Sequence, residues 1–261
     1  MLFIFKKKKI VVDCFTSNPG IHMYYPVTKY INHIPEWWKN LPSTYKVSEQ
    51  STAGFTDLTP ERPTLKKCPG IIDLFKAGIT ITLGSDLKIQ TKRDGSWAYL
   101  YAENSGIEPN FMIDSHSRQN YGSTFDNFIH MKIISSWLLY EKSGVNFYST
   151  PAFWNQIEYM NKFHITPGIV NYKYQHTTNV NLFANRTNSL IELSAGMPLI
   201  NLIPLSEHDV EIKNHVVSDD EYHQLVKKST FRSKFVNSYD KQKKILTTEK
   251  KCPFNFGKKI T

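Results

Sequence analysis

The sequence predicts a mainly β fold, with an antiparallel, sandwich-like domain followed by a C-terminal amphipathic helix. The chain contains 16 Phe, 14 Tyr and 5 Trp among its 261 residues, and aromatic side chains favour strands. Short apolar runs alternate with polar residues and are separated by Gly, Pro and Asn, as is typical of antiparallel sheets. A helical pattern follows near the C-terminus.

The period-two alternation is strongest at residues 79–83 and 129–140, which are therefore predicted strands. Asp94-Gly95 separates two further predicted strands and is a typical hairpin turn. Residues 103–128 are rich in Asn, Ser and Gly, and we expect one or two long loops there.

The C-terminal helix is predicted from about residue 218 to residue 244. Ser218 precedes three acidic residues that include Glu221, which matches a capping box with negative charge at the helix N-terminus. Tyr222 and Leu225 begin an imperfect apolar stripe.

We expect three parts of the chain. Residues 1–66 form an N-terminal strand and an irregular segment packed on the core, residues 67–217 form a β-rich core domain, and residues 218–261 form the C-terminal helix and a basic tail. The chain is long enough for one large β domain with additions or for two small domains.

The formal net charge is +9, from 32 basic and 23 acidic residues. Much of the excess lies at Lys6–Lys9 and between residues 241 and 259. Such basic termini can contact nucleic acid, or they can be solvated tails that keep the protein soluble. At the N-terminus the charges follow a short apolar run, so we expect neither a signal peptide nor a membrane span.

No compact metal or cofactor motif is present. The cysteines share no metal-ligand spacing, the histidines form no HxH or HExxH, and a Walker loop is missing. We therefore predict no metal and no cofactor, although His116, His164 and His176 can still converge in space. Cys68 lies among apolar residues and is expected to be a buried, inert thiol.

Two segments carry candidate contact residues. Trp37 and Trp38 lie between prolines, where we expect one helical turn that docks one tryptophan and leaves the other at the edge. Both are candidates for a partner surface.

The segment 114–118 has the residue types of a catalytic triad, but we interpret it as a polar loop. It contributes His116 and Arg118 as ligand-binding candidates.

Residues 167–205 form a compact series of short strands with Gly and Pro turns, which suits a β-clip or sandwich. Gly168, Ile169, Val170, Asn171 and Tyr174 follow the order of the third motif region of the dUTPase and dCTP deaminase family, and this stretch resembles that β-clip. The resemblance implies a nucleotide enzyme in which an acidic residue activates water. That position is Asn171 here, and an amide cannot act as the general base. Asn171, Tyr174 and His176 are the ligand-binding candidates of this stretch.

A broader series of motifs runs from Ile34-Pro35-Glu36-Trp37-Trp38-Lys39 through Lys67-Cys68-Pro69-Gly70 to Gly196-Met197-Pro198. It is similar to an uncharacterised family, a domain of unknown function, from tailed bacteriophages and some bacteria. The resemblance implies a phage setting, with the protein in the host cytoplasm or on the virion. It also implies virion proteins, or a second copy in a homo-oligomer, as partners.

The leading hypothesis is a non-enzymatic binding module or virion-associated structural module with no catalytic residue. The first alternative is a nucleotide-binding or nucleotide-hydrolysing enzyme derived from the dUTPase and dCTP deaminase fold. The second alternative is a protein that binds single-stranded nucleic acid, for which an aromatic side chain beside a basic one, as at Phe231-Arg232, is a typical pairing.

Overall fold

Strands dominate the structure of this protein. The computed structural model describes residues 9–46, 61–101, 113–116 and 122–235, together with Lys241 and Lys244. The strands are β1 (Ile10–Thr16), β2 (Thr28–Lys29), β3 (Thr44–Lys46), β4 (Glu61–Pro63), β5 (Ile79–Thr82), β6 (Leu87–Thr91), β7 (Trp97–Tyr101), β8 (Ile113–Ser115), β9 (Phe128–Glu141), β10 (Phe147–Pro151), β11 (Phe163–Ile165), β12 (Gly168–Val170), β13 (Thr177–Asn185), β14 (Ser189–Leu193), β15 (Pro198–Pro204) and β16 (Val210–Val216). The helices are α1 (Pro19–Tyr24), α2 (Glu36–Asn40), α3 (Pro69–Lys76) and α4 (Asp219–Phe235).

The largest sheet has six strands in the order β11-β13-β9-β1-β16, with β8 also paired to β9. Its long strand β9 has 14 residues, and successive side chains along most of it are alternately buried and half-buried, as its sequence predicts. The prediction of loops over 103–128 is wrong at β8, where Ile113 pairs with Ile133.

A second sheet has five strands in the order β12-β10-β15-β5-β2, and all its pairs are antiparallel. Close contact between β5 and β15 depends on Gly78, where a Cβ atom would stand 2.3 Å from the Leu202 carbonyl oxygen. A three-stranded sheet, β14-β6-β7, contains the predicted hairpin at Asp94-Gly95, and Gly95 has a φ of 89°.

The two larger sheets and the three-stranded sheet contribute to one hydrophobic core. Its buried members include Val12 of β1, Ile81 of β5, Ile89 of β6, Met131 of β9 and Leu202 of β15. Every described strand pair is antiparallel except β1 with β16. The prediction of a mainly β, antiparallel fold with a C-terminal helix is confirmed.

The capping box predicted for the C-terminal helix is present. The Glu221 backbone N–H donates to Ser218 Oγ at 3.3 Å, and the Ser218 backbone N–H donates to Glu221 Oε2 at 3.1 Å. Helix α4 covers Asp219–Phe235 of the predicted 218–244, and Lys241 and Lys244 are helical as well, whereas residues 236–240 and 242–243 lie outside the described residues. None of the helices in the described residues is long and apolar enough to cross a membrane. Most of the predicted basic N-terminus, and the tail beyond residue 244, lie outside the described residues.

The cysteines differ from expectation in their burial. Cys14, on the central strand β1, is fully buried, whereas Cys68 is only half-buried at the start of α3. The prediction of Cys68 as a buried thiol is therefore wrong. It fails because Cys68 is the N-cap residue of α3, at the surface end of a short helix.

Candidate functional site

The stretch 167–205 contains a groove between β12 and β13, which we call the β12–β13 groove. It has a volume of about 390 Å³, which is within the usual range for ligand sites, roughly 300–1,000 Å³. Strand β12 is the edge of the five-stranded sheet, and β13 belongs to the six-stranded sheet. The groove therefore lies between the edge of the five-stranded sheet and the part of β13 that β11 does not cover.

The walls of the β12–β13 groove are uncharged and rich in hydrogen-bonding groups. Every described residue that lines it has a side chain that is neutral near pH 7. Hydroxyl and amide side chains come from β13, from its neighbouring loop 171–176, from β10 and from the link between β11 and β12, whereas β12 itself contributes Gly168, Ile169 and Val170. These polar lining residues are Ser149, Thr166, Gln175, Thr177, Thr178, Asn179 and Asn181.

The loop 171–176 joins the two walls, and Asn171 stabilises it. Asn171 is buried, and its Nδ2 donates to the Gly144 carbonyl oxygen at 2.9 Å and to Asn146 Oδ1 at 2.7 Å. Its Oδ1 accepts from the Lys173 backbone N–H at 3.2 Å, which closes a local turn. The side chain thus has a structural role below the groove.

The β9–β10 turn, to which Asn171 connects the loop 171–176, is also held by Glu141. Glu141 is buried, and its carboxylate accepts from the backbone N–H groups of Ser143 and Gly144, each at 2.6 Å, and of Val145 at 3.2 Å. Charge-assisted hydrogen bonds of this kind are stronger than neutral ones. Sequence reasoning missed Glu141, although a Glu before Ser143-Gly144 is the signal that could have identified it.

Tyr174 and His176 are also buried, at 5% and 6% exposure. His176 Nδ1 lies 3.1 Å from the Tyr172 carbonyl oxygen and 3.2 Å from that of Leu139, so this nitrogen carries the proton. The ring packs edge-on against Tyr140 with centroids 5.1 Å apart. The structure therefore brings Asn171, Tyr174 and His176 together in the loop that supports the groove.

His116 lies at a different place, in a second groove of about 310 Å³. This groove also contains Asp94, Asp126 and Arg186, and Arg186 Nη1 donates to the Asp126 carbonyl oxygen at 2.6 Å. The His116 ring stacks on His130 with centroids 4.6 Å apart. Arg118, the other candidate from this segment, lies outside the described residues.

The paired tryptophans behave as their sequence predicts. Helix α2 buries Trp38 to 5% exposure, while Trp37 remains 38% exposed. Trp38 packs against Phe75, with ring centroids 5.2 Å apart, and Trp37 Nε1 donates to the Trp154 carbonyl oxygen at 3.1 Å. A partner surface at this position would use Trp37, because Trp38 is part of a small second core.

Sequence reasoning also missed the polar wall of β13. Asn179 and Asn181 occupy alternate positions between the buried Val180 and Leu182, and that alternation is the signal that could have identified them. In the described part of the chain, no group of three or more His, Cys, Asp or Glu residues is arranged to hold a metal ion.

The sequence was compared with protein-family models and with curated proteins. No protein-family model matches this sequence, and no curated protein matches it either.

Proposed function

We propose that this protein is a non-enzymatic binding module whose ligand occupies the β12–β13 groove. The observation that carries the proposal is the concentration of hydroxyl and amide side chains in the lining of the groove. Such groups recognise a ligand through hydrogen bonds, whereas hydrolysis draws on carboxylates, imidazoles, metal ions or cationic side chains. In the phage setting that the sequence resemblance implies, the module itself assembles with virion proteins or with a second copy of the chain, and the groove is left for a separate ligand.

The support beneath the groove favours binding as well. Asn171 and Glu141 fix the loop and turn next to the walls through five hydrogen bonds of 2.6–3.2 Å to Ser143, Gly144, Val145 and Asn146. A site that is ordered before the ligand arrives loses less conformational entropy on binding.

The alternative function is nucleotide hydrolysis. Phosphate groups are usually bound by Arg, Lys or backbone N–H groups, and the described groove residues contribute no cationic side chain. Asn171 occupies the position of the family's acidic residue in the sequence resemblance, but its amide is 4% exposed. These two observations support the binding module over the enzyme.

A turnover assay tests the proposal. The full chain is incubated with dUTP, dCTP, dATP, dGTP and dTTP in the presence of Mg²⁺, and phosphate and pyrophosphate release are measured. We expect no release above a heat-denatured sample of the same protein. An Asn171→Asp variant restores the carboxylate of the family motif and should remain equally inactive. Turnover at enzymatic rates by the wild-type protein would refute the proposed function.

A further inference from the structure

We infer that the β12–β13 groove binds a neutral, polyhydroxylated ligand, that is, a saccharide. This inference rests on the proposed function, because it names the ligand class of the same groove. Three observations carry it: the hydrogen-bonding groups that remain available in the lining, the short open length of the β13 edge, and the absence of charged side chains among the described lining residues.

Side-chain groups on β10, on β13 and just before β12 remain available for a ligand. Within the described part of the chain, the side chains of Ser149, Thr166 and Asn179 have no hydrogen-bond partner, whereas Thr178 is bonded to the Tyr172 hydroxyl at 2.9 Å. A hydroxyl both donates and accepts, and an amide offers two donors and an acceptor. Sugar hydroxyls have the same dual character, so each can pair with any of these three side chains.

The backbone of Asn179 adds one more donor and one more acceptor. The Thr166 N–H donates to the Asn181 carbonyl oxygen at 3.0 Å, on the side of β13 that faces away from β9. Residues two apart in a strand direct their backbone groups to the same side. The N–H and C=O of Asn179 therefore face the groove, where the β11 ladder has already ended at Leu182.

An extended peptide fits this edge poorly. Strand addition needs a continuous run of unpaired backbone groups, but β11 already pairs with residues 182–184 of β13, and the Asn181 carbonyl oxygen already accepts from the Thr166 N–H. The chain then crosses from β11 to β12 at Thr166-Pro167, so at most residues 177–180 of β13 offer an open edge. Separate hydroxyl and amide groups suit a compact ligand with many hydroxyls better than a peptide strand.

The lining also determines the charge of the ligand. A carboxylated or sulfated sugar would lose hydration without gaining a cationic partner from the described lining residues. Val170 and Ile169 add apolar surface, against which the C–H face of a sugar ring can pack. A neutral saccharide meets both conditions.

The test uses the full chain and four neutral trisaccharides: maltotriose, cellotriose, mannotriose and tri-N-acetylchitotriose. Binding is measured by isothermal titration calorimetry and by saturation-transfer NMR. We expect at least one of them to bind saturably. Thr166→Val removes a hydroxyl at nearly constant shape, and Asn179→Ala removes an amide. Each should weaken that affinity about threefold to tenfold, as expected for one lost hydrogen bond.

Asn32→Ala is the matched control, because Asn32 is an exposed amide in the short 3-10 helix Tyr30–His33, outside the groove. Its affinity should equal that of the wild-type protein. The inference is overturned if no trisaccharide binds, if the groove variants bind as well as Asn32→Ala, or if sulfated trisaccharides bind more tightly than neutral ones. A library of extended peptides forms the last arm. Peptide binding that Asn179→Ala abolishes, without saccharide binding, would overturn the saccharide class and leave the proposed function intact.

Discussion

Glu141 and Asn171 hold the same glycine from its two backbone sides. The Gly144 N–H donates to Glu141 Oε2 at 2.6 Å, and the Gly144 carbonyl oxygen accepts from Asn171 Nδ2 at 2.9 Å. Gly144 has a φ of 82°, a region that glycine adopts without strain. The β9–β10 turn and the loop 171–176 are therefore one mechanical unit, and both walls of the groove are attached to it.

Replacing Asn171 by aspartate should destabilise this unit. The donor that faces Gly144 O and Asn146 Oδ1 would become an acceptor that carries negative charge. We expect the free energy of unfolding at pH 7 to fall by about 2–4 kcal/mol. Part of the loss should return as the pH falls toward about 4, because the two facing oxygens raise the pKa of the new carboxyl above its usual value and its protonated form can donate. Urea denaturation of both proteins at the two pH values measures this difference.

Asn32→Asp is the control for this substitution, because it makes the same chemical change at an exposed position. Its unfolding free energy should lie within about 0.5 kcal/mol of the wild-type value. Equal stability of the two variants would show that the Asn171 amide does not hold the turn.

Gly78→Ala should be among the most damaging single substitutions in the core. The φ of Gly78 is 77°, and the new Cβ atom would lie 2.3 Å from the Leu202 carbonyl oxygen, so β5 and β15 would have to separate. We expect a loss of about 3 kcal/mol or more in unfolding free energy. Thermal unfolding followed by circular dichroism measures it.

The matched variant is Gly70→Ala in α3, where an added Cβ meets no atom within 4 Å. Alanine loses less backbone entropy than glycine on folding. This variant should therefore be as stable as the wild-type protein or more stable by up to about 1 kcal/mol. A similar loss in both variants would contradict the close approach at Gly78.

His130 should make the protein less stable in mild acid. Desolvation, followed by the charges of His116 and Lys132, lowers the pKa of His130, and the nearby Asn181 amide, which favours the protonated ring, opposes that shift only in part. The unfolded chain, with a histidine pKa of about 6.5, then binds more protons than the native protein. Stability consequently rises with pH and is lost as the pH falls below about 6.5.

His130→Phe isolates this contribution. Phenylalanine keeps the ring that stacks on Phe183, where the centroids are 4.4 Å apart, and it removes the titrating group. We expect a shallower loss of unfolding free energy between pH 7 and pH 5 than in the wild-type protein, measured by urea denaturation at several pH values. An unchanged slope would assign the acid sensitivity to other groups.

Cys14 should resist alkylation as long as the protein is folded. Burial on β1, with a smaller contribution from the Asp13 carboxylate, raises the pKa of the Cys14 thiol far above its usual value, and only the thiolate reacts. In a Cys68→Ser/Cys252→Ser variant, iodoacetamide at pH 8 should label Cys14 only as fast as the protein unfolds. Mass spectrometry with and without urea measures the two rates. Rapid labelling without urea would contradict the burial of β1.

Local pattern was enough to predict several strands, because alternation between buried and exposed positions is a property of neighbouring residues. The local pattern did not predict β16. In that strand the half-buried Asn214 interrupts the apolar alternation, and its side chain donates to the Val27 carbonyl oxygen at 3.0 Å. The sequence motif made Asn171 a ligand-binding candidate. In the structure its side chain instead donates to Asn146 Oδ1 and to the Gly144 carbonyl oxygen, which lie 25 and 27 residues earlier in the chain. The groove exists only where β12 and β13 face each other, and no local signal contains that relation.

The parallel pairing of β1 with β16, from Ile10↔Val210 to Thr16↔Val216, has a consequence for how the protein is made. The ribosome releases β1 first, and its parallel neighbour follows about two hundred residues later. At typical synthesis rates this interval is roughly 10–40 s. During that time one edge of β1 has no strand beside it, and an open edge invites pairing with other chains. Nascent chains that stall before residue 210 should therefore be the most prone to aggregate and the most dependent on chaperones.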